Sequence, residues 1–454
     1  MHFDKGTLLV DVLPAGGIAP YWKWDSRVSK YRCDALHYAD IAVRGAGCSP
    51  TYNHSCARWQ AVVWPKAELS VLREDQAAAQ QAWLQTPRGV VVMPTGTGKT
   101  EVALHIMHQL SVSTLVVVPV RDLMYQWQDR IQKRLGYDAG IIGDNTFNKR
   151  AISVTTYDSA AIYMQEFGHE FKLLILDECH HLPGSFRSDA ARMSMAPYRL
   201  GLTATPERGD GREAELFHLI GPIVHKLQLS AARGVTLANY DVARIPVYLQ
   251  PEERARYDGY STEIRRYMAE RGKTEPGFSF LELRKEWTKN PEARRILDAF
   301  HAKESIEDRA CEKLRVLEDL FRLHPKQRML IFTKTNVMAR EVSARFLIPC
   351  LLNHSRKKER KEILEGFRTE RYPAIVANQI LDEGVDLPEA KIVVVLGGQA
   401  SVKQAKQRLG RILRKHGDAR VMLYEVVCSD TKEAVKSRLR RKSDAYEGTR
   451  VKRI

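Results

Sequence analysis

Short apolar segments alternate with amphipathic, helix-like stretches over two parts of the chain. The first part runs from residue 71 to about residue 221, and the second begins after residue 325. Parallel sheets give this pattern, because each buried strand is a nearly continuous apolar run and a helix returns the chain to the next strand. The pattern predicts two α/β domains, whose strands include Val90–Met93, Leu115–Val118, Leu173–Leu176, Arg199–Leu202, Met329–Phe332, Ala374–Val376, Ile392–Leu396 and Val421–Val426.

Two other segments have different patterns. Residues 1–65 contain short β-like runs separated by turns with Gly and Pro, which predicts a small domain of mixed or β character. Residues from about 251 to 325 are rich in Glu and Arg and carry aromatic side chains at helical spacing, which predicts an all-helical insert. We therefore expect domains at residues 1–65, 66–225 and 226–454, the last of which includes the insert and a basic C-terminal tail.

The charge of the chain favours an anionic partner. Its 454 residues include 71 Lys and Arg against 55 Asp and Glu, a formal net charge of +16. Nucleic acid is the commonest partner of such a surface, and binding through phosphates is independent of sequence and weakened by salt. Apolar runs of about 20 residues, which would span a membrane, are absent from the sequence.

The cysteines indicate a reducing compartment. They number seven, an odd count, and none is in a CxxC pair, so a disulfide framework is not expected. Cys48, His54 and Cys56 lie close together, but no fourth ligand follows at a zinc-finger spacing, and we interpret them as ordinary residues. Together with a start that does not read as a signal peptide, this predicts a cytoplasmic protein, associated with the nucleoid in a prokaryote.

The strongest motif joins a predicted strand to a predicted helix. Its sequence, Met-Pro-Thr-Gly-Thr-Gly-Lys-Thr, occupies residues 93–100. Glycines in such a loop let backbone N–H groups close around phosphate oxygens, and the helix N-terminus adds a positive dipole. We predict an ATP site in which Lys99 reaches the β- and γ-phosphates and the Thr100 hydroxyl is a ligand of Mg²⁺. The other predicted contacts of the loop are Thr95, Gly96, Thr97 and Gly98.

A second motif places two acids at the end of a buried strand. The run Leu-Leu-Ile-Leu, residues 173–176, is followed by Asp177 and Glu178. In nucleotide hydrolysis, Asp177 would hold Mg²⁺ and Glu178 would polarise the attacking water as general base. The alternative is a strand that ends in a solvated turn. The interpretation as a hydrolytic motif is favoured because the two acids follow Lys99 in the same predicted sheet.

Two further segments extend the site. Thr203 and Thr205 follow the next strand and could link the acids to bound nucleic acid, although a simple turn also explains them in isolation. Arg411 and Arg414 are three residues apart, so they share one helix face. Such a pair suits the charge that develops on a γ-phosphate, as arginine fingers do, whereas a solvated basic helix is the alternative.

In this order, the four motifs resemble those of superfamily 2 helicases, and among them the XPB-type DNA helicases. The resemblance implies two tandem RecA-like α/β domains, a helical thumb-like insert and a small N-terminal domain similar to the damage-recognition domain of archaeal XPB proteins. It also implies ATP with Mg²⁺ in the cleft between the domains, DNA as the nucleic acid, 3′-to-5′ movement, and work in repair or transcription. A nuclease partner is implied as well, with the protein acting as a monomer or within that complex.

The resemblance adds residues to the expected site. It places Arg73 and Gln76 at the adenine base, and segments 116–127 and 154–159 at motifs of the first domain that bind the nucleic-acid strand. The residues it implies for nucleotide binding in the second domain are Gly384, Asp386 and Gln407, and those for DNA binding or coupling are His181, Thr203, Thr205, Arg208, Asp210 and Thr333.

One departure from the family pattern leaves alternatives open. Relatives carry Arg-Glu-Asp shortly after the threonine motif, whereas this chain has Arg208, Gly209 and Asp210. The missing acid supports one alternative, an ATP-driven double-strand translocase that does not unwind efficiently. A second alternative is a DNA-binding scaffold that recruits a nuclease and uses ATP as a switch, against which Glu178 and the arginine pair argue.

Overall fold

The computed structural model describes residues 1–13, 21–45, 56–206, 211–228, 231, 240–275, 277–352, 355–378, 390–397, 421–440 and 451–453. The chain divides into two units, Met1–Ala232 and Arg233–Ile454. The first unit takes in both the predicted N-terminal domain and the predicted first α/β domain. Among the described residues, no helix combines the length and apolar character needed to cross a bilayer.

The N-terminal part of the first unit is a small antiparallel sheet with one helix. Strand order is β1-β2-β4-β3, with β1 at His2–Asp4, β2 at Thr7–Val10, β3 at Lys23–Asp25, β4 at Lys30–Asp34 and the helix α1 at Tyr38–Gly45. Leu8 and Ile41 are buried in its core, and Cys56 packs against that core. Cys48 and His54 lie outside the described residues. No cluster of potential metal ligands occurs in the described part of the chain.

The rest of the first unit is an eight-stranded sheet, ordered β12-β5-β11-β10-β6-β9-β7-β8. All of its pairings are parallel except that of β8 with β7. The strands are Arg88–Val92 (β5), Thr114–Val118 (β6), Gly140–Gly143 (β7), Thr146–Asn148 (β8), Ile152–Thr156 (β9), Leu173–Asp177 (β10), Tyr198–Thr203 (β11) and Ile223–Lys226 (β12). The helices are Glu74–Gln85 (α2), Lys99–Leu110 (α3), Arg121–Leu135 (α4), Tyr157–Phe167 (α5), Asp189–Arg192 (α6) and Glu213–Ile220 (α7).

The central strands of this sheet are buried because apolar side chains cover both of its faces. Val91, Val116 and Ile175 contribute to one core, whereas Leu115 and Leu174 contribute to the other. This two-sided burial explains why the strands appear in the sequence as uninterrupted apolar runs. Since neighbouring parallel strands end at the same edge, the residues that follow β5, β10 and β11 come together there.

The second unit contains a seven-stranded sheet, ordered β15-β16-β14-β17-β18-β13-β19, in which every pairing is parallel. Its strands are Tyr240–Val247 (β13), Met329–Thr333 (β14), Cys350–Leu351 (β15), Ala374–Ala377 (β16), Ile392–Leu396 (β17), Val421–Cys428 (β18) and Val451–Arg453 (β19). Helices Asn336–Phe346, Lys357–Arg368 and Lys432–Arg440 also belong to this unit. The predicted α/β class is therefore confirmed for both units.

The helical pattern predicted for residues 251–325 is also confirmed. The described residues between β13 and β14 form helices Pro251–Thr274, Phe280–Glu286, Pro291–Asp308 and Cys311–Leu323. Pro251 begins the first of them, and Gln250 and Glu253 form a capping box that satisfies backbone N–H groups there. Tyr267, Leu283 and Ile296 give the insert a small apolar core of its own.

Candidate active site

The glycine-rich loop connects the end of β5 to the start of α3, as the motif predicts. Gly96 and Gly98 both have φ of +87°, a left-handed conformation that favours glycine. A Cβ atom at Gly98 would also lie 2.3 Å from the side-chain nitrogen of Gln76. Thr97 is fully buried, and its hydroxyl donates to the Pro94 carbonyl at 2.7 Å. The left-handed backbone therefore selects glycine at position 98, and a Cβ atom there would also displace the Gln76 amide.

Lys99 and Thr95 supply polar groups to this loop. Lys99 is 8% exposed, and its ammonium donates to the Met93 carbonyl at 3.1 Å, so it extends back along the loop. The hydroxyl of Thr95 is buried and has no hydrogen-bond partner among the described residues. A cationic side chain and an unsatisfied hydroxyl on a loop before a helix suit a phosphate group.

Arg73 and Gln76 lie against the same loop. Gln76 donates its side-chain amide to the Thr97 carbonyl at 3.0 Å, and the Arg73 guanidinium donates to that same oxygen. The Gln76 side-chain oxygen accepts the Arg73 backbone N–H at 3.1 Å, which ties the start of α2 together. The structure thus joins both residues to the phosphate-binding loop, and their contact with adenine stays a prediction.

Asp177 is the last residue of β10, and Glu178 follows it at the same edge of the sheet. Both are 6% exposed, and Glu178 has a left-handed φ of +47°. The Asp177 carboxylate accepts the indole N–H of Trp127 at 2.8 Å and the Glu178 backbone N–H at 2.9 Å. One donor is a side chain and the other is backbone, and both are neutral.

The oxygen atoms at this edge fit Mg²⁺. Mg²⁺ prefers hard oxygen ligands and is usually held by one or two protein groups besides water and phosphate. The Asp177 carboxylate and the Thr100 hydroxyl, on α3, are the two groups predicted to hold it, and both are oxygen ligands of this kind. That hydroxyl accepts a hydrogen bond from the Arg130 guanidinium at 2.8 Å.

Cys179 stands between the acids and two histidines but is not a nucleophile. The thiol is fully buried, and burial raises its pKa well above the ordinary value. The charges of Glu178 and Asp177 raise that pKa further. A protonated, buried thiol packs as a small apolar side chain, so cysteine-based catalysis is not expected at this edge.

The threonine motif is joined to Glu178 through His180, a residue that the sequence motifs do not predict. His180 is 1% exposed, and its Nδ1 lies 3.0 Å from the Thr203 hydroxyl and 3.5 Å from a carboxylate oxygen of Glu178. The predicted residue was its neighbour His181, whose ring lies 4.3 Å from the His180 ring between centroids. Two adjacent histidines look alike in sequence, and only the short helical turn Cys179–His181 selects which one meets β11.

Thr203 and Thr205 close this network. The Thr203 hydroxyl donates to the Thr205 carbonyl and accepts the Thr205 backbone N–H, both at 3.1 Å. The Thr203 carbonyl accepts the Met93 backbone N–H at 3.0 Å, which links β11 directly to the start of the phosphate loop. The Thr205 hydroxyl is buried without a hydrogen-bond partner among the described residues.

In the second unit, Thr333 ends β14 and is 1% exposed. Its hydroxyl donates to the Thr335 carbonyl at 3.1 Å, and its predicted contact with DNA stays a prediction. The other predicted residues lie outside the described part of the chain: Arg208, Asp210, Gly384, Asp386, Gln407, Arg411 and Arg414.

Three known families match successive parts of the chain. Residues 1–44 match the Xeroderma pigmentosum group B helicase damage recognition domain. Residues 69–208 match the res subunit of type III restriction enzymes, and residues 312–416 match the helicase conserved C-terminal domain.

Curated relatives resemble the chain over most of its length. The DNA 3′-5′ translocase XPB2 of Sulfurisphaera tokodaii is 38% identical, over 97% of this chain and 99% of the relative. The DNA 3′-5′ helicase XPB of Mycobacterium tuberculosis is 28% identical, over 83% of this chain and 64% of the relative.

Solved helicase structures share the fold. The yeast protein Dbp5, bound to RNA and ADP BeF3, superposes with a TM-score of 0.54 at 16% identity, over 84% of this chain and 89% of that one. The Hef helicase domain of Pyrococcus furiosus gives a TM-score of 0.52 at 16% identity, over 81% of this chain and 99% of that one. At such identity the likeness concerns the fold alone, and it confirms the two RecA-like domains expected from the sequence.

Proposed function

Because the chain belongs to the XPB-type family of superfamily 2 DNA helicases, we propose that it is a DNA-dependent ATPase that moves on or opens DNA in the 3′-to-5′ direction. The observation that carries the proposal is the convergence of three motifs at one edge of the eight-stranded sheet. There, the strand order brings the phosphate-binding loop, the paired acids and the threonine motif to one edge, and hydrogen bonds connect them.

Each predicted residue has a distinct proposed task in hydrolysis. Lys99 binds the β- and γ-phosphates, and the backbone N–H groups of the loop surround their oxygens. Thr100 and Asp177 would hold Mg²⁺, which offsets phosphate charge when bound. Glu178 orients the attacking water and accepts its proton. Arg411 and Arg414 would supply cationic charge to the γ-phosphate, as the helical spacing suggests.

DNA is proposed to act on hydrolysis through the threonine motif. His180 contacts both Thr203 and Glu178, so a shift of the threonine motif changes the surroundings of the proposed base. The net charge of +16 suits a phosphate backbone held without sequence preference. A role in repair or transcription, a nuclease partner, a monomeric or partner-bound state and a cytoplasmic or nucleoid location belong to the same proposal.

Steady-state ATP hydrolysis by the full chain, measured with and without DNA, tests this function. We expect DNA to stimulate turnover, and we expect the stimulation to fall as salt rises because phosphate contacts are screened. Measurable ATP binding with no hydrolysis in either condition would favour the nuclease-recruiting scaffold instead. An RNA arm of equal length distinguishes DNA from RNA as the activator.

The glycine at position 209, which lies outside the described residues, provides a test of strand separation. We expect Gly209→Glu to raise unwinding of a forked substrate and to leave DNA-stimulated hydrolysis within a few-fold, because it restores the acid that relatives carry there. An exposed carboxylate near phosphates costs about 1 kcal/mol or less of binding, so the assay uses saturating protein.

A matched variant separates this effect from added charge. Gly272→Glu places the same carboxylate on helix Pro251–Thr274, where a Cβ atom meets no other atom within 4 Å. Unwinding by the Gly209→Glu variant that equals that of the Gly272→Glu variant would show that the missing acid does not limit strand separation. A triplex-displacement assay run in parallel measures translocation on double-stranded DNA.

A further inference from the structure

Trp127 has a polar contact that distinguishes it from an ordinary core residue. It lies on α4, is fully buried, and shares a core with Met124, Ile131 and Leu135. A buried indole N–H requires a hydrogen-bond acceptor, and backbone carbonyls are the usual choice. Here the acceptor is a carboxylate oxygen of Asp177, 2.8 Å away, at the end of β10.

This contact restricts the rotation of the Asp177 carboxylate. The terminal torsion of an aspartate is soft, so strand geometry alone leaves its oxygens free to turn. The Trp127 indole holds one oxygen, and the Glu178 backbone N–H holds the other at 2.9 Å. The Tyr157 hydroxyl donates to the Asp177 carbonyl at 3.0 Å and fixes the backbone as well. Of these donors, only Trp127 reaches the carboxylate from another element of the fold.

The same face of α4 reaches the other proposed metal ligand. Arg130 follows Trp127 by three residues, so the two side chains lie on one side of the helix. Its guanidinium donates to the Thr100 hydroxyl at 2.8 Å. The two contacts differ in charge. The neutral indole stabilises the carboxylate without adding a positive charge that would compete with a metal ion, whereas the guanidinium does add one.

We propose that Trp127 is a positioning residue for metal binding, which holds the Asp177 carboxylate in the orientation that Mg²⁺ requires at the nucleotide site. The inference rests on the proposed function, since it takes Asp177 as the Mg²⁺ ligand. Partners that orient metal ligands typically change metal affinity by about 10-fold to 100-fold when they are removed. Loss of the indole N–H therefore weakens the contribution of Mg²⁺ to nucleotide binding and leaves the Lys99 contact in place.

The test compares two buried tryptophans of the same core. Trp83 is also fully buried in that core, but its indole donates to the Arg199 backbone carbonyl at 3.0 Å. Trp127→Phe and Trp83→Phe each remove one indole N–H and a similar volume. Any effect on nucleotide binding that comes from losing a buried indole in this core should therefore occur in both variants. For the full chain and each variant, the dissociation constant of a fluorescent ADP analogue is measured in excess Mg²⁺ and in EDTA.

The ratio of the two dissociation constants is the readout, and it needs no hydrolysis. We expect Trp127→Phe to lower the Mg²⁺-dependent gain in affinity by about 10-fold, with the EDTA value close to that of the unmodified protein. Trp83→Phe should leave the ratio unchanged. Equal ratios for Trp127→Phe and the unmodified protein, or an equal fall in both variants, would overturn the proposal.

Two further arms keep the result interpretable. Benzothienylalanine at position 127 retains the bicyclic shape without the N–H donor, and it replaces the phenylalanine variant if that variant does not fold. It should reproduce the fall in the ratio of the two dissociation constants.

The unmodified protein is assayed for DNA-stimulated hydrolysis alongside. If it shows neither Mg²⁺-dependent binding nor hydrolysis, the proposed function fails together with this inference, whereas an unchanged ratio in an active protein overturns the role of Trp127 alone.

Discussion

Lys99→Ala is expected to abolish ATP hydrolysis. The ammonium is the cationic side chain of the loop, it is 8% exposed, and its bond to the Met93 carbonyl holds it along the phosphate-binding turn. Its loss removes the main side-chain charge opposite the β- and γ-phosphates, both in the bound state and as charge shifts during transfer. Steady-state hydrolysis with saturating DNA measures the effect, and binding of a fluorescent ADP analogue shows how much of it is lost affinity.

A lysine on the surface of the same unit provides the control for Lys99→Ala. Lys133 lies on α4 with its side chain 71% exposed and paired with Asp129. Lys133→Ala should hydrolyse ATP at the unmodified rate, because exposed ion pairs contribute little to stability. Hydrolysis by Lys99→Ala at a rate similar to Lys133→Ala would exclude the loop as the ATP site.

Glu178→Gln is expected to lower turnover by at least about 100-fold while ATP binding is nearly retained. The change is almost isosteric, so the left-handed backbone at this position and the packing around a 6% exposed side chain are kept. What is lost is the ability to accept a proton from water. Single-turnover hydrolysis and nucleotide binding, measured on the same preparation, separate the chemical step from affinity.

Glu170→Gln is the matched control for this substitution, since Glu170 pairs with Lys149 at 2.7 Å elsewhere in the first unit. It removes one carboxylate from the unit without touching the motif, and its turnover should match that of the unmodified protein. If Glu178→Gln and Glu170→Gln hydrolyse ATP equally fast, the general base is a different residue.

Local chemistry explains why the fold could be predicted closely from the sequence. Strands such as Leu173–Asp177 are buried on both faces, which requires an apolar side chain at nearly every position and leaves a clear run in the sequence. The insert could be predicted for the opposite reason, because its many Glu and Arg side chains do not suit a buried strand and its aromatic side chains recur at helical spacing. The boundaries at residues 65 and 225 depend on how segments pack, and they stay predictions.

The residue types of the site were likewise determined by the sequence, because each motif is contiguous. Gly96, Gly98 and Lys99 lie within a few residues of one another, so the loop chemistry is local. The two acids are adjacent at a strand end for the same reason. Contiguous motifs of this kind can be identified before any tertiary contact is known.

The tertiary structure decided which groups hold those residues in place. The contacts of Trp127 with Asp177 and of His180 with Thr203 join segments far apart in the chain. They form because β10 lies between β6 and β11, so the helix after β6 and the turn after β10 reach the same edge. Strand order is a property of the whole sheet, and it cannot be predicted from the residues of any single strand. For that reason the sequence could specify the acids and the threonines, whereas only the folded chain shows that the indole and the first of two adjacent histidines contact them.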